Sequence, residues 1–143
     1  MTLQIFEIAP TFPGYDGVFA LRNSILRTPL GLMLSREEVQ AEQGQIHLAA
    51  FESNQLVGCV LLVPLQDEMK LRQMAIAPAA QGRGVGRKLL FEAERLARSH
   101  GYKTMSCHAR ETAVDFYKAN GWTVKGERFT EVTIAHFTMS KNL

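Results

Sequence analysis

The stretch LRQMAIAPAAQGRGVGRKLL, residues 71–90, joins a predicted strand to a predicted helix through a glycine-rich turn. Met69–Ile76 predicts the strand, and residues 85–97 carry apolar side chains at helical spacing. His100-Gly101 is typical of a helix end. A strand, a helix and a further strand in succession favour a parallel pair within a sheet, so this junction decides the fold.

Apolar segments on both sides of this stretch predict a mixed α/β (α+β) fold. Further strands are predicted at residues 4–8, 46–51, 56–65, 103–107, 122–125 and 132–139. Further helices are predicted at residues 16–28, after Ser35, and at residues 112–119, where Thr112 and Asp115 are spaced as a capping pair. Hairpins add antiparallel pairs. We therefore predict one domain, residues 1–143, in which a mixed, largely antiparallel sheet is flanked by helices.

The glycine turn, residues 81–86, favours a bound anion. A strand-to-helix junction presents backbone N–H groups at the positive end of the helix dipole, and glycine lets the backbone approach a ligand closely. Arg83, Arg87 and Lys88 crowd this end, where the dipole disfavours cations by roughly 0.3–1 kcal/mol each. A bound phosphate would reverse the sign of that cost. The alternative interpretation is a plain connector with solvated basic side chains.

Two common phosphate-binding motifs do not fit the glycine turn. A Walker A loop and a Rossmann fingerprint that begin at Gly82 both need glycine at position 87, which is Arg87. A Rossmann fingerprint that begins at Gly84 needs glycine or alanine at position 89, which is Leu89. The sequence therefore excludes both motifs at this turn.

Composition limits the classes of protein to which the chain could belong. The 143 residues carry a net charge of +2, which argues against a dedicated nucleic-acid binder. Residues 81–98 hold five basic and two acidic residues, so the small positive excess is concentrated at the glycine turn and its helix. Cys59 and Cys107 are too few for a disulfide scaffold, and the longest apolar stretch, residues 56–65, is too short to span a bilayer. We expect a cytoplasmic protein without membrane, nucleic-acid or metal partners, either monomeric or homodimeric.

Two motifs resemble the GNAT superfamily of N-acetyltransferases. Residues 81–86, QGRGVG, form Q-x-x-G-x-G after a strand, which resembles the acetyl-CoA signature of that family. Residues 113–122, AVDFYKANGW, resemble its second motif, a helix with a tyrosine followed by a Gly-aromatic pair. The order of the predicted elements is also similar over nearly the whole chain, so the resemblance implies the GNAT acyl-CoA N-acyltransferase fold.

The resemblance implies that acetyl-CoA is the acyl donor. In the family, the strand before the turn holds the pantetheine arm and the amides of the turn hold the pyrophosphate. The positions that match are Met74, Ala75 and Ile76 for the arm and Gln81, Gly82, Arg83, Gly84, Val85, Gly86 and Arg87 for the phosphates. Arg110 stands where many relatives have asparagine, and it could face the cofactor phosphates or an acidic substrate.

The resemblance also implies direct transfer to a primary amine of a small molecule or a peptide. A neutral amine attacks the thioester, a backbone N–H of residues 74–76 stabilises the oxyanion, and Tyr117 protonates or hydrogen-bonds the departing sulfur. An alkyl ammonium has a pKa near 10.4, so a base is needed. The candidate bases are His108, Glu131 and His136.

Structural roles remain open for the candidate catalytic residues. Tyr117 also fits a buried helix face, and the histidines fit structural positions in strands. Residues 129–141 resemble a bacterial subgroup that carries an acidic residue and Ile-Pro-His, with alanine here in place of proline. Cys107 is not expected to act as a nucleophile, because adjacent strand residues such as Cys107 and His108 point to opposite faces.

Two further functions remain as alternatives. A CoA-binding module without catalysis is favoured by Arg110 and by the lack of glutamate in Met69–Ile76, where many relatives carry one. Nucleic-acid binding through residues 83–98 is weaker, because Glu92 and Glu94 interrupt the basic residues of that helix. Specificity for the acceptor is expected from residues 22–42 and from a loop at residues 125–131.

Overall fold

A computed structural model describes residues 2–143, and their strands form one sheet. The strands are β1 (Leu3–Glu7), β2 (Ile46–Glu52), β3 (Gln55–Pro64), β4 (Met69–Ile76), β5 (Thr104–Arg110), β6 (Thr123–Glu131) and β7 (Ile134–Asn142). The α-helices are α1 (Tyr15–Arg22), α2 (Arg36–Gln40), α3 (Val85–Ser99) and α4 (Val114–Ala119). A π-helical turn (Asn23–Arg27) and three 3-10 turns (Thr28–Leu30, Pro78–Ala80 and Glu111–Ala113) complete the elements.

The sheet has the order β1-β2-β3-β4-β5-β7-β6. Only β4 and β5 run parallel, and α3 makes the crossover between them. Every other neighbouring pair is antiparallel. The predicted mixed, largely antiparallel sheet flanked by helices is therefore confirmed.

Two hydrophobic clusters cover the two faces of the sheet. The larger cluster joins α3 and α4 to one face, with Leu89, Met105 and Trp122 almost fully buried. The smaller one joins α1 and α2 to the other face, and it includes Tyr15 and Ala75. We call these the α3 face and the α1 face. Because side chains alternate along a strand, neighbouring residues of β5 lie on opposite faces.

The parallel pair is short, and this positions the site. Only residues 69–71 of β4 pair with residues 105–107 of β5, and the two strands diverge beyond Leu71 and Cys107. A bulge in β4, opposite Cys59 and Leu61, adds one residue to the strand. Gln73 lies in this bulge with φ of 55°, a conformation that non-glycine residues rarely adopt.

The boundaries of two predicted helices differ from those in the structure. Pro29 does not end the first helical segment, because it lies in the first turn of Thr28–Leu30, where its missing N–H costs no hydrogen bond. Thr112 and Asp115 do not form a capping pair, because α4 begins after Ala113 without a side-chain cap and a 3-10 turn precedes it. The capping box of Ser35 with Glu38 at α2 is present.

The C-terminal strands are longer than predicted. β5 continues to Arg110, and β6 runs from Thr123 to Glu131, so residues 125–131 are not a loop. β6 pairs with β7 on both sides of an irregularity between Lys125 and Phe129. Within residues 2–143, no helix is long and apolar enough to cross a membrane.

Candidate functional site

A cavity of about 320 Å³ opens where β4 and β5 diverge. Its walls come from β4, β5, the π-helical turn, the start of α4 and the β6–β7 hairpin. Six of the residues that the sequence analysis singled out line it, namely Met74, His108, Arg110, Tyr117, Glu131 and His136. The structure therefore brings together residues that are predicted separately and lie far apart in the sequence.

Tyr117 reaches this β4–β5 cavity from α4 on the α3 face. Its side chain is buried against Phe116 and Trp122, and its hydroxyl lies next to the Cys107 thiol. Burial raises the pKa of Tyr117 strongly, so the phenol stays protonated at neutral pH. The residue can therefore donate a hydrogen bond to a sulfur atom in the cavity while it also contributes to the core.

His108, Glu131 and His136 form an acid–histidine cluster on another wall of the cavity. The Nδ1 atom of His108 lies 3.0 Å from Oε1 of Glu131, and Nε2 of His136 lies 3.8 Å from Oε2. The Phe129 ring packs edge-on against His108 and stacks on His136. Pairing of β7 with both β5 and β6 produces the cluster, because Arg110 and Phe129 both pair with His136. Within residues 2–143, no group of three or more His, Cys, Asp or Glu side chains is arranged to hold a metal ion.

The hydrogen bond of His136 determines which ring nitrogen carries the proton when the ring is neutral. Its Nδ1 atom lies 2.9 Å from the carbonyl oxygen of Ile134, and a carbonyl can only accept, so Nδ1 carries the proton. In the neutral ring, Nε2 then has a free lone pair that faces the carboxylate of Glu131. Two hydrogen-bond acceptors that face each other suit a donor between them, such as an ammonium group.

The glycine turn lies between the end of β4 and the start of α3. Gly82 and Gly84 have φ of 77° and 83°, and a Cβ at either position would meet no atom within 4 Å. The Gln81 side chain donates to the Ile76 carbonyl at 3.1 Å, which ties the turn to the strand. A Cβ at Gly86 would lie 3.4 Å from the Phe116 ring, so the start of α3 packs closely there. Open backbone at the N-terminus of a 15-residue helix fits a pyrophosphate.

The other predicted cofactor residues lie near this turn. Among residues 2–143, no strand pairs with the edge of residues 74–76 that faces β5, whereas Ala75 and Ile76 pair with β3 on their other edge. Ala75 is buried on the α1 face, so only its backbone could contact a ligand on the α3 face. Arg83 forms an ion pair with Glu52 at 2.9 Å, and Arg87 lines a groove between α3 and the end of α4.

Arg110 lies on the α1 face. Its Nη2 atom donates to the Leu26 carbonyl at 2.6 Å, and its neighbours Ala109 and Cys107 belong to the α3 face. Burial, and after it the charge of Arg27, lowers the pKa of Arg110. Of the two roles left open by the sequence, contact with an acidic substrate agrees better with this position than contact with phosphates at the glycine turn.

A buried polar network that is not apparent from the sequence lies on the α1 face. Arg22 is fully buried and bonds both carboxylate oxygens of Glu42, at 2.7 and 2.8 Å. It also donates to the Tyr15 hydroxyl at 2.8 Å and to the Gln73 side chain, which holds the bulge of β4. Arg22 is a charged residue four positions after Val18 on an apolar helix face, and this pattern could have indicated a buried charge. Its partner Glu42, just after α2, shows no such pattern in the sequence.

Comparisons with known proteins agree with this fold. The family model of the acetyltransferase (GNAT) domain matches residues 26–143. A Bacillus subtilis (strain 168) protein assigned as an acetyltransferase is 25% identical over 126 residues, which cover 86% of each chain. A Lactobacillus plantarum structure assigned as an N-acetyltransferase has a TM-score of 0.87 at 23% identity and covers 100% of this chain and 99% of its own. A GNAT family acetyltransferase from Elizabethkingia anophelis with acetyl-CoA bound has a TM-score of 0.77 at 18% identity, covering 99% and 98%.

Proposed function

The chain belongs to the GNAT family of acetyltransferases, which are acetyl-CoA-dependent acyltransferases, and we propose that it acetylates a primary amine bound in the β4–β5 cavity. The observation that carries this proposal is the pair of functional groups on opposite walls of that cavity. One wall holds the buried hydroxyl of Tyr117, and another holds the acid–histidine cluster. Acyl transfer needs a hydrogen-bond donor near the leaving sulfur and a proton acceptor near the amine, and the two walls supply one each.

The acyl donor, acetyl-CoA, would bind at the glycine turn and at the free edge of β4. Backbone amides of residues 82–86 would hold the pyrophosphate at the N-terminus of α3, with Arg83 and Arg87 nearby. Met74 lines the cavity beside the unpaired edge of β4, where the pantetheine arm would bind. When bound, acetyl-CoA supplies an acetyl thioester whose carbonyl carbon is open to attack by a neutral amine.

The acceptor side uses the acid–histidine cluster to take a proton from the amine. Glu131 lies between two imidazoles and is partly exposed, so a proton that it accepts can pass to His108 or to water. The free lone pair at Nε2 of His136 gives the ammonium a second hydrogen-bond acceptor. We therefore assign Glu131 as the base, with His108 and His136 beside it as partners in proton transfer.

Tyr117 acts on the sulfur. A phenol with a raised pKa is a weak proton donor, but it is a dependable hydrogen-bond donor, and Tyr117 already lies next to the sulfur of Cys107. The thioester sulfur in the cavity could accept a hydrogen bond from the Tyr117 hydroxyl. Burial raises the pKa of the Cys107 thiol to about 12, so a covalent route through this cysteine is disfavoured.

The test is steady-state release of CoA with a panel of primary amines. Glu131→Gln and Tyr117→Phe are each expected to lower kcat by about 10²-fold, because each removes one group that assists proton transfer or sulfur departure. Cys107→Ala should keep kcat within about threefold, since no covalent step uses the thiol.

Two matched controls separate chemistry from structure. Glu127→Gln changes an exposed carboxylate of the same strand as Glu131, and Tyr102→Phe removes a tyrosine hydroxyl that bonds the Leu65 carbonyl far from the cavity. Both should keep wild-type kcat. Wild-type kcat in Glu131→Gln or Tyr117→Phe would refute the role of that residue. Binding of acetyl-CoA without turnover of any amine would favour the non-catalytic module instead.

A further inference from the structure

Basic side chains dominate the charged part of the lining of the β4–β5 cavity. Arg27, Lys70, Arg72 and Arg110 line it, and Glu131 is the one carboxylate among the described residues that line it. We call these four residues the basic wall. A cavity built only for an uncharged amine needs no such excess of positive charge, and an ammonium group would be repelled by it.

Partners within the protein neutralise the basic wall incompletely. Arg27 lies 3.3 Å from the half-exposed Glu38, and Arg72 lies 4.0 Å from Glu42, which already pairs with Arg22. Within residues 2–143, no carboxylate lies within 4.0 Å of the charged nitrogens of Lys70 or Arg110. The wall therefore has charge available for a ligand.

The surroundings of Arg110 disfavour its positive charge. Its guanidinium is partly buried beside the like charge of Arg27, and both effects lower its pKa. The hydrogen bond to the Leu26 carbonyl uses one donor of the five that an arginine side chain has. An anion between Arg27 and Arg110 would offset both the repulsion and the loss of hydration.

The basic wall lies on the acceptor side of the sheet. Arg110 bonds the π-helical turn that follows α1, and Arg72 lies near Glu42 at the α1 face. The glycine turn lies at the start of α3, which packs on the opposite face and has its own basic residues. The two sets of positive charge therefore lie on opposite faces of the sheet.

We propose that the acceptor is a primary amine that also carries a carboxylate or a phosphate, held by Arg110 and Arg27 while its amino group faces Glu131 and His136. This inference rests on the proposed function, because it specifies the substrate class of the same cavity. Charge complementarity at both ends fixes the orientation of the acceptor. The anion binds the basic wall, and the amino group lies against the acid–histidine cluster.

The experiment compares matched acceptors that differ only in the anionic group. Glycine, β-alanine, 4-aminobutanoate and 5-aminopentanoate are each compared with the corresponding primary amide, and O-phosphoethanolamine is compared with ethanolamine. For at least one chain length, the anionic member should have a kcat/KM more than about tenfold above its neutral match, as expected for a charge-assisted pair. The carboxylate and phosphate arms show which anion the wall prefers.

Two variants assign the preference to the basic wall. Arg110→Gln should raise KM for the anionic acceptor about tenfold with little change in kcat, because it removes binding that is equal in ground and transition states. The neutral acceptor should change less than about twofold. Arg110→Lys keeps the charge and should restore part of the preference. Arg95→Gln, which changes an exposed arginine of α3 paired with Glu92, is the matched control.

Calorimetric titration of the same amines into protein saturated with CoA gives a readout without turnover. Neutral amines that react as well as anionic ones would overturn this inference and leave the acetyltransferase proposal intact. Anionic amines that bind wild type and not Arg110→Gln, without turnover, would support anion binding by Arg110 but refute amine transfer, and with it the role of the bound amine as acceptor. If no arm shows binding or a preference for the anionic amine, the inference is also overturned.

Discussion

At the residue scale, His47 couples stability to pH. Its Nε2–H donates to the Glu42 carbonyl, so Nδ1 is unprotonated and accepts the Tyr15 hydroxyl proton at 2.8 Å. Burial lowers the pKa of His47, because a buried imidazolium loses its hydration. Protonation of Nδ1 would also break the bond from Tyr15, which in turn accepts from Arg22.

This arrangement predicts that stability falls as the pH drops below about 6.5. The unfolded chain then binds a proton at residue 47 that the folded chain does not, so the free energy of unfolding decreases by up to about 1.4 kcal/mol per pH unit. Above the unfolded pKa the contribution is fully present. Urea unfolding between pH 7.5 and 5.5 measures it. His47→Asn should flatten the slope, whereas His100→Gln, at the exposed end of α3, should keep the wild-type slope.

The individual residues of the site can be predicted from the sequence, but their proximity in the fold cannot. Tyr117, His108, Glu131 and His136 are candidates by residue type and by resemblance to a family. Their approach depends on β7 lying between β5 and β6, a strand order that no local pattern specifies. The ion pair of Arg22 with Glu42 escapes prediction for the same reason, since it joins two helical segments that the sequence shows only separately.

At the scale of elements, the glycine turn and α3 are predictable because glycine, charge and periodicity all indicate the same junction. The β6–β7 hairpin is not predictable from the sequence. Its two turn residues, Val132 and Thr133, have φ of 48° and 68°, although β-branched residues avoid this region. The usual hairpin signal of asparagine or glycine is missing there, so the sequence predicts a loop at residues 125–131 where the structure has a strand.

The two ends of α3 offer a matched test of the glycine turn. Gly84 precedes the helix with φ of 83°, and Gly101 follows it with φ of 87°, and a Cβ added at either glycine would meet no atom within 4 Å. Gly84→Ala and Gly101→Ala should each lower the free energy of unfolding by about 1–2 kcal/mol, because alanine is strained at positive φ.

Only Gly84→Ala should also weaken acetyl-CoA binding, by about tenfold, since its methyl group would stand where phosphate approaches the amides. Thermal unfolding gives the first quantity for both variants, and calorimetric titration of acetyl-CoA gives the second. Equal affinities for acetyl-CoA in the two variants would exclude the turn as the phosphate site.

At the scale of the whole molecule, acetyl-CoA should stabilise the fold by mass action. A ligand at 100 times its Kd adds about 2.7 kcal/mol to the free energy of unfolding, which raises the Tm of a chain of this size by roughly 5–10 °C. Differential scanning calorimetry with acetyl-CoA at millimolar concentration measures the shift. Gly84→Ala should reduce it and Gly101→Ala should not. An unchanged Tm in wild type would contradict the donor site.

The short pairing of β4 with β5 has a mechanical consequence. The sheet consists of a four-stranded half, β1 to β4, and a three-stranded half, β5 to β7, and only three residue pairs of the two middle strands join them. Backbone hydrogen bonds at such a seam open more easily than those inside either half. A substrate seated in the seam touches both halves, so binding should stiffen the whole molecule and slow amide exchange far from any contact. The short pairing thus acts as a hinge between the two halves of the sheet, and a bound substrate supplies contacts between them that backbone hydrogen bonds do not.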